Sequence, residues 1–114
     1  LNAIASEVSV TVALRNHGSV TAKIGASAFA YSSLTSLTLC EGVTELGEYA
    51  FADCESLTTI YMRGVTPPEL GNNYVFNHEQ PNIVIYVPAE ALETYTTAPA
   101  WSRYSSVMRP YDPE

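Results

Sequence analysis

The sequence predicts one domain of α/β to mainly β class. It should be a right-handed solenoid of short parallel strands, with turns and short helical segments opposite them and a C-terminal helical cap. Three observations predict it. Ile24-Gly25-Ala26-Ser27-Ala28-Phe29 returns 22 residues later as Leu46-Gly47-Glu48-Tyr49-Ala50-Phe51. Leu34, Leu37 and Leu39 return 23 residues later as Leu57, Ile60 and Met62. The stretch beyond residue 88 does not repeat, as expected of a cap that shields an open end. A unit this short cannot bury its apolar residues alone, so its copies must stack.

Taken in order, Val8, Val10, Val12 and Leu14 alternate with Ser9, Thr11 and Ala13, the period of a half-buried strand. Asn16-His17-Gly18 reads as a turn. Clear repeats span 20–42 and 43–64, each with a small-residue turn, an Ala-Phe pair and a short strand. In the first strand Leu37 and Leu39 point inward and Ser36 and Thr38 outward. In the second Ile60 and Met62 point inward and Thr59, Tyr61 and Arg63 outward. A third, irregular copy starts at Val65-Thr66, where Pro67 and Pro68 exclude helix and ladder donation. It runs through Leu70-Gly71 and Phe76 to a strand at Ile83-Val84-Ile85-Tyr86-Val87. Phe51 to Phe76 is 25 residues, so an insertion around Gly71-Asn72-Asn73 is expected to loop out. Pro88 is placed as the first residue of a helix over 89–97, which Pro99 breaks. Trp101 and Tyr104 then supply a second apolar patch, and Val107-Met108 a final strand. The chain is thus one domain, 1–114. It divides into an N-terminal strand, cap or decayed repeat (1–19), two clear repeats (20–64), a degenerate repeat (65–88) and a cap (89–114).

Bulk properties narrow the function. With 114 residues and 46% hydrophobic content there is enough material to fill a single core. The net charge is −7, and the five basic residues, Arg15, Lys23, Arg63, Arg103 and Arg109, form no cluster that could neutralise a row of phosphates. Nucleic acid and anionic membrane are therefore poor partners. The acids are scattered and read as a solubilising surface. No apolar run approaches the roughly 18 residues needed to span a bilayer, and no signal-peptide pattern opens the chain. A start at Leu1 rather than Met suggests a processed or excised piece of a longer protein, with its targeting signal upstream. Cys40 and Cys54 are too few for a disulfide-stapled scaffold.

Candidate chemistry does not survive the repeat. Gly25-Ala26-Ser27 suggests a nucleophile turn, but Tyr49 holds the Ser27 position in the next copy, so the slot is a variable turn residue. His17 and His78 stand alone in turn-rich segments without ligand spacing. Glu41, Glu45 and Glu48 lie near one another around a coil, without the order of a calcium loop, and read as a solvated rim. Cys54 takes the slot of Ser32 or Ser33 and Cys40 that of Arg63. The slots differ, so both thiols should be free. Phe29, Phe51 and Phe76 recur in register as a core spine. No cofactor is expected, and no catalytic or metal residue is assigned.

The outward strand face is the candidate partner-binding surface: Thr38, Tyr61 and Tyr86 in one column, flanked by Thr59, Arg63 and Val84. Tyrosine offers large contact area at low entropic cost. The competing reading is that these cross-strand aromatics only stabilise the sheet. If they bind, Tyr61, Arg63 and Tyr86 should be solvent-exposed and mutually close. An uncovered strand near the N-terminus should either receive further residues of the parent protein or pair edge to edge with a second copy.

The pattern of an apolar residue, Gly-x-x-Ala-Phe, a Cys or Ser a few residues on, and Ser-Leu-x-x-Ile/Leu resembles the BspA-like leucine-rich repeat family of bacterial surface proteins. Thr66-Pro67-Pro68, Phe76, Ile85-Tyr86-Val87-Pro88, Tyr95 and Trp101 resemble the ending common in those proteins, and the likeness runs over about 20–111. Residues 1–19 keep the strand alternation but lack the signature. The resemblance implies a leucine-rich-repeat scaffold exported to the cell surface or secreted, often as a lipoprotein, and adhesion in some members. On that basis the chain is expected to be a noncatalytic module binding a protein, another cell or a glycan. The alternative is a structural spacer or stalk segment of a larger surface protein.

Overall fold

A computed structural model describes residues 9–12, 22–72, 74–76 and 83–113. The turn at Asn16-His17-Gly18, and Val8, Ala13, Leu14, Arg15, Val20, Asn73 and His78, lie outside them. The chain winds into coils whose strands form two parallel sheets. One has five strands in the order β1 (Ser9–Val12), β3 (Ser36–Leu39), β5 (Thr59–Met62), β7 (Val84–Pro88) and β8 (Met108–Tyr111). The other has three, in the order β2 (Ala22–Ile24), β4 (Val43–Leu46) and β6 (Glu69–Leu70). This is the expected solenoid of short parallel strands. The expected turns are there as well, and a second sheet stands where helical segments were expected in the coils. Its strands escape a period-two reading because β4 buries Val43 and Leu46, three positions apart, and β2 carries a register shift at Ala22/Lys23.

Register in the large sheet is continuous. Val10, Leu37, Ile60, Ile85 and Met108 stand side by side, and the last four are buried. Leu46, from the small sheet, joins them in one core with Phe51, Phe76 and Trp101. Phe29, Phe51 and Phe76 stack at centroid distances of 5.2 and 5.6 Å, forming the spine that the repeat implied. Each such pair adds about 0.5–1.5 kcal/mol beyond area burial. Cys54 is buried in the slot after Ser32: its Sγ donates to the Phe29 carbonyl at 3.1 Å and lies 3.3 Å from the Ser32 hydroxyl. Cys40 is half-buried, and both thiols are free.

Backbone hydrogen bonding continues from coil to coil through the turns. Ser27, Phe29 and Tyr31 N–H groups donate to the carbonyls of Glu48, Ala50 and Ala52, and Phe51 N–H to Val75. Gly47 N–H returns a bond to Ile24, and Gly71 N–H to Leu46. Such bonding draws successive backbones together at the glycines. A Cβ on Gly47 would sit 2.5 Å from the Ala26 nitrogen, and one on Gly71 2.6 Å from the Glu48 nitrogen. Gly71 and Asn72 are held against the preceding coil, so the added length does not loop out at those two residues; Asn73 lies outside the described residues. Counted against the preceding copy, the added positions are spread singly: Phe29 to Leu39 is 10 positions and Phe51 to Met62 is 11, Leu39 to Leu46 seven and Met62 to Leu70 eight, Leu46 to Phe51 five and Leu70 to Phe76 six.

The cap departs from the expected single helix. Pro88 ends β7 with extended backbone, at ψ 136°. A 3₁₀ turn, Ala89–Ala91, follows, then α1 (Leu92–Thr97). Ala98, before Pro99, is extended and stops α1, as the proline ring requires. Ala100, at φ 66°, turns the chain into a 3₁₀ helix, Trp101–Val107. The final strand is longer than expected, Met108–Tyr111. Pro110, which lacks a donor, is tolerated because β8 is an edge strand.

Four cap aromatics cover the last coil, and each donates its one polar hydrogen to a backbone carbonyl. Tyr111 hydroxyl bonds Met62 at 2.9 Å, Tyr95 hydroxyl Gly64 at 2.8 Å, Trp101 Nε1 Pro68 at 2.7 Å, and Tyr104 hydroxyl Phe76 at 3.1 Å. Trp101 and Tyr104 also close on the Phe76 ring, at 5.8 and 5.7 Å.

Because backbone atoms oppose a Cβ at both glycines, Gly47→Ala or Gly71→Ala should destabilise the protein by about 1–3 kcal/mol, the range for forced overpacking. Urea unfolding of each variant checks this. A midpoint unchanged in both would mean that the coils do not approach as closely as described.

Candidate functional site

The outward residues of the large sheet form a column in register: Thr38, Tyr61, Tyr86 and Arg109. This includes the three residues that the sequence placed together. Tyr61 and Tyr86 stack with centroids 5.0 Å apart and planes 14° from parallel. Thr38 is half-buried beside Tyr61. Thr59 pairs with Val84 one step along, its hydroxyl 3.4 Å from that of Thr58.

Sequence reasoning missed Tyr111. It lies in the Pro-rich end, without a repeat counterpart. Its signal is the period of two from Arg109, which sets both on one face of β8. The Tyr111 ring leans across the stack, 5.5 Å from Tyr61 and 6.0 Å from Tyr86, at steep interplanar angles of 55° and 66°. One correction follows. Tyr61 and Tyr86 were expected to be solvent-exposed, yet both are half-buried, because each has rings on its flanks.

Arg63, immediately after β5, is exposed, and its N–H donates to the Leu39 carbonyl at 3.0 Å. It borders an open groove of about 610 Å³, which also takes in Glu41, Pro88, Glu90, Tyr111 and Asp112. The groove joins the tyrosine cluster to the first turn of the cap. Arg109 turns back on its own strand instead, bonding the Ser106 and Met108 carbonyls.

Three phenols beneath or beside this surface hold their protons above the ordinary tyrosine range. Burial pushes Tyr95 far up, and the charge on Tyr111 adds to it. Burial also raises Tyr104, against opposing pulls from the Phe76 backbone and from the Arg103 charge. Tyr111 is raised by burial, with Arg63 pulling down and Tyr61 pushing up. Among the described residues no group of His, Cys, Asp and Glu side chains could hold a metal ion. No helix there is long and apolar enough to cross a membrane.

Fold and surface together define a class: a parallel-strand repeat solenoid with an aromatic cap and an outward tyrosine column. A family model described as BspA type Leucine rich repeat region (6 copies) matches residues 15–96. The chain belongs to that family. The match begins inside the segment set apart as 1–19 and ends within α1, so it includes Tyr95 but not Trp101 or β8. Comparison with curated proteins returned no match.

Alkaline titration tests the cap. Folded phenols with raised pKa values bind protons that unfolded tyrosines release near pH 10, so stability is complete below about pH 10 and falls as pH rises through the folded values. The urea midpoint should hold steady up to about pH 9 and then decline. Tyr95→Phe should lower the neutral-pH midpoint, since the Gly64 carbonyl loses a donor at a cost of about 1–3 kcal/mol, and should flatten the alkaline decline. An equally steep decline in that variant would contradict the assignment.

Proposed function

We propose that the chain is a noncatalytic binding module of a cell-surface or secreted protein, and that the outward face of the large sheet is its contact surface. The tyrosine cluster beside Arg63 carries this reading. Interfaces draw most of their energy from a few Tyr, Trp and Arg anchors, and Tyr61 and Tyr86 are already stacked with Tyr111 held edge-on against them. Ordering those rings therefore costs little on binding. The groove along Arg63 extends the surface past the strands. Thr38 and Thr59 complete the rim of the face.

Family membership supports an exported location and adhesion to a host protein, another cell or a glycan. Catalysis is not proposed, because among the described residues no nucleophile, base and orienting group come together. The second reading, a spacer in a larger surface protein, draws on the half-burial of the same rings. Tyr111 spends its hydroxyl on the Met62 carbonyl, as a sheet-stabilising residue would.

Replacing Tyr61 and Tyr86 together with Ser separates the two. The binding reading expects capture of matrix proteins, cells or arrayed glycans to fall at least about tenfold, with a loss of stability no larger than the roughly 0.2–1 kcal/mol of a cross-strand pair. Full unfolding of the variant, or a wild-type chain that captures nothing, favours the spacer.

A further inference from the structure

A second aromatic stack runs along the turns, away from the strand face. Tyr49 and Tyr74 are parallel, 8° apart, with centroids separated by 6.2 Å. The guanidinium of Arg103 covers Tyr74 at 5.6 Å. Tyr74 thus has Tyr49 on one side and a cation on the other. Tyr49 differs. The position before it in the column is Ser27, 22 residues earlier and with matching backbone, φ 58° against 59°. Ser27 is exposed and too short to cover a ring, so the stack stops one ring short and leaves a face of Tyr49 open.

The open ring is held at a conformational cost. Tyr49 sits in the left-handed region, which favours Gly, Asn and Asp and costs a bulky residue about 1–2 kcal/mol. Tyr31, at φ 64°, is the same case and is 80% exposed. Asp53, in the slot after Tyr31, shows the cheaper choice. Strain of this kind, on exposed aromatics with no core to fill, points to function.

The surroundings select the ligand. Asn72 lies against the stack, and its Oδ1 accepts from the backbone N–H groups of Tyr49 at 3.4 Å and Tyr74 at 3.1 Å. It belongs to the coil of Tyr74 and braces the covered side of Tyr49. On the open side the Ser27 hydroxyl is a group that both donates and accepts. A chain of net charge −7 disfavours anionic ligands. The site therefore offers one apolar ring face beside a hydroxyl.

We propose that the open face of Tyr49 over Ser27 is a stacking platform for a neutral, equatorially substituted pyranose ring of a glycan. Such a sugar presents axial C–H bonds to the π face while its hydroxyls radiate in the ring plane toward Ser27. This site is separate from the strand face, and either can fail without the other.

Cellohexaose is the probe, followed by saturation-transfer NMR and titration calorimetry. Binding should transfer saturation to axial sugar protons. Ser27→Tyr fills the empty position with a ring in the conformation that Tyr49 already adopts, and should lower affinity by roughly tenfold or more. Tyr49→Ala should do the same, Tyr49→Phe should retain affinity within about threefold, and the Tyr61→Ser, Tyr86→Ser double variant should bind like wild type. Ser27→Tyr adds a stacked ring rather than removing one, so it keeps the test decisive if Tyr49→Ala misfolds. The proposal is overturned if the wild type binds neither cellohexaose nor the β-1,4-linked hexamers of xylose and N-acetylglucosamine. Unchanged affinity in Ser27→Tyr, or selection of aromatic peptides over sugars, would also overturn it.

Discussion

Among the described residues successive coils exchange backbone hydrogen bonds, so a coil's backbone is satisfied where a neighbouring coil lies against it. Buried carbonyls without partners cost about 1–3 kcal/mol each, and a solenoid that simply stopped would leave a row of them. Here the ladder ends on side chains. Tyr111, Tyr95, Trp101 and Tyr104 supply donors to Met62, Gly64, Pro68 and Phe76, and the same aromatic bodies cover the end of the phenylalanine spine. One set of residues therefore answers both demands of an open end, apolar surface and unpaired polar groups. Aromatic residues with a single polar atom suit this task because the ring buries area while the atom reaches a carbonyl.

The same geometry shapes the surface. Parallel strands in register place equivalent positions of successive coils side by side, so an aromatic in one coil meets whatever the neighbouring coil carries. Inward, that yields the Phe29, Phe51 and Phe76 stack. Outward, it yields Tyr61 on Tyr86, and along the turns Tyr49 on Tyr74. The outward stacks end differently. Tyr111 closes the strand stack from the cap, whereas the turn stack meets Arg103 at one end and the small Ser27 at the other.

Much of this was legible in the sequence, for reasons that can be named. Strict repetition fixed the inward residues Leu37, Leu39, Ile60 and Met62, the phenylalanine spine and the column of Thr38, Tyr61 and Tyr86, because register follows from spacing alone. Alternation failed for the small sheet, where Val43 and Leu46 are buried three apart and a bulge interrupts β2. At Gly71 the extra length looked like one loop, but it is spread as single residues through the copy, and Gly71 itself is bonded to the preceding coil. Tyr111 was missed because the final strand was read only at Val107-Met108, whereas β8 runs on through Pro110 to Tyr111. The half-burial of the tyrosine column followed from that omission.

The central claim is that cap and coils form one cooperative unit, coupled through aromatic donors to carbonyls. Native-state hydrogen exchange of individual amides tests it most directly. The account predicts that the cap amides of Ala98, Trp101 and Ser102 open with the same free energy as those of Phe51, Gly71 and Val84 in the coils they cover. Cap amides that exchange through a separate opening of lower free energy, with the coil amides still protected, would contradict it.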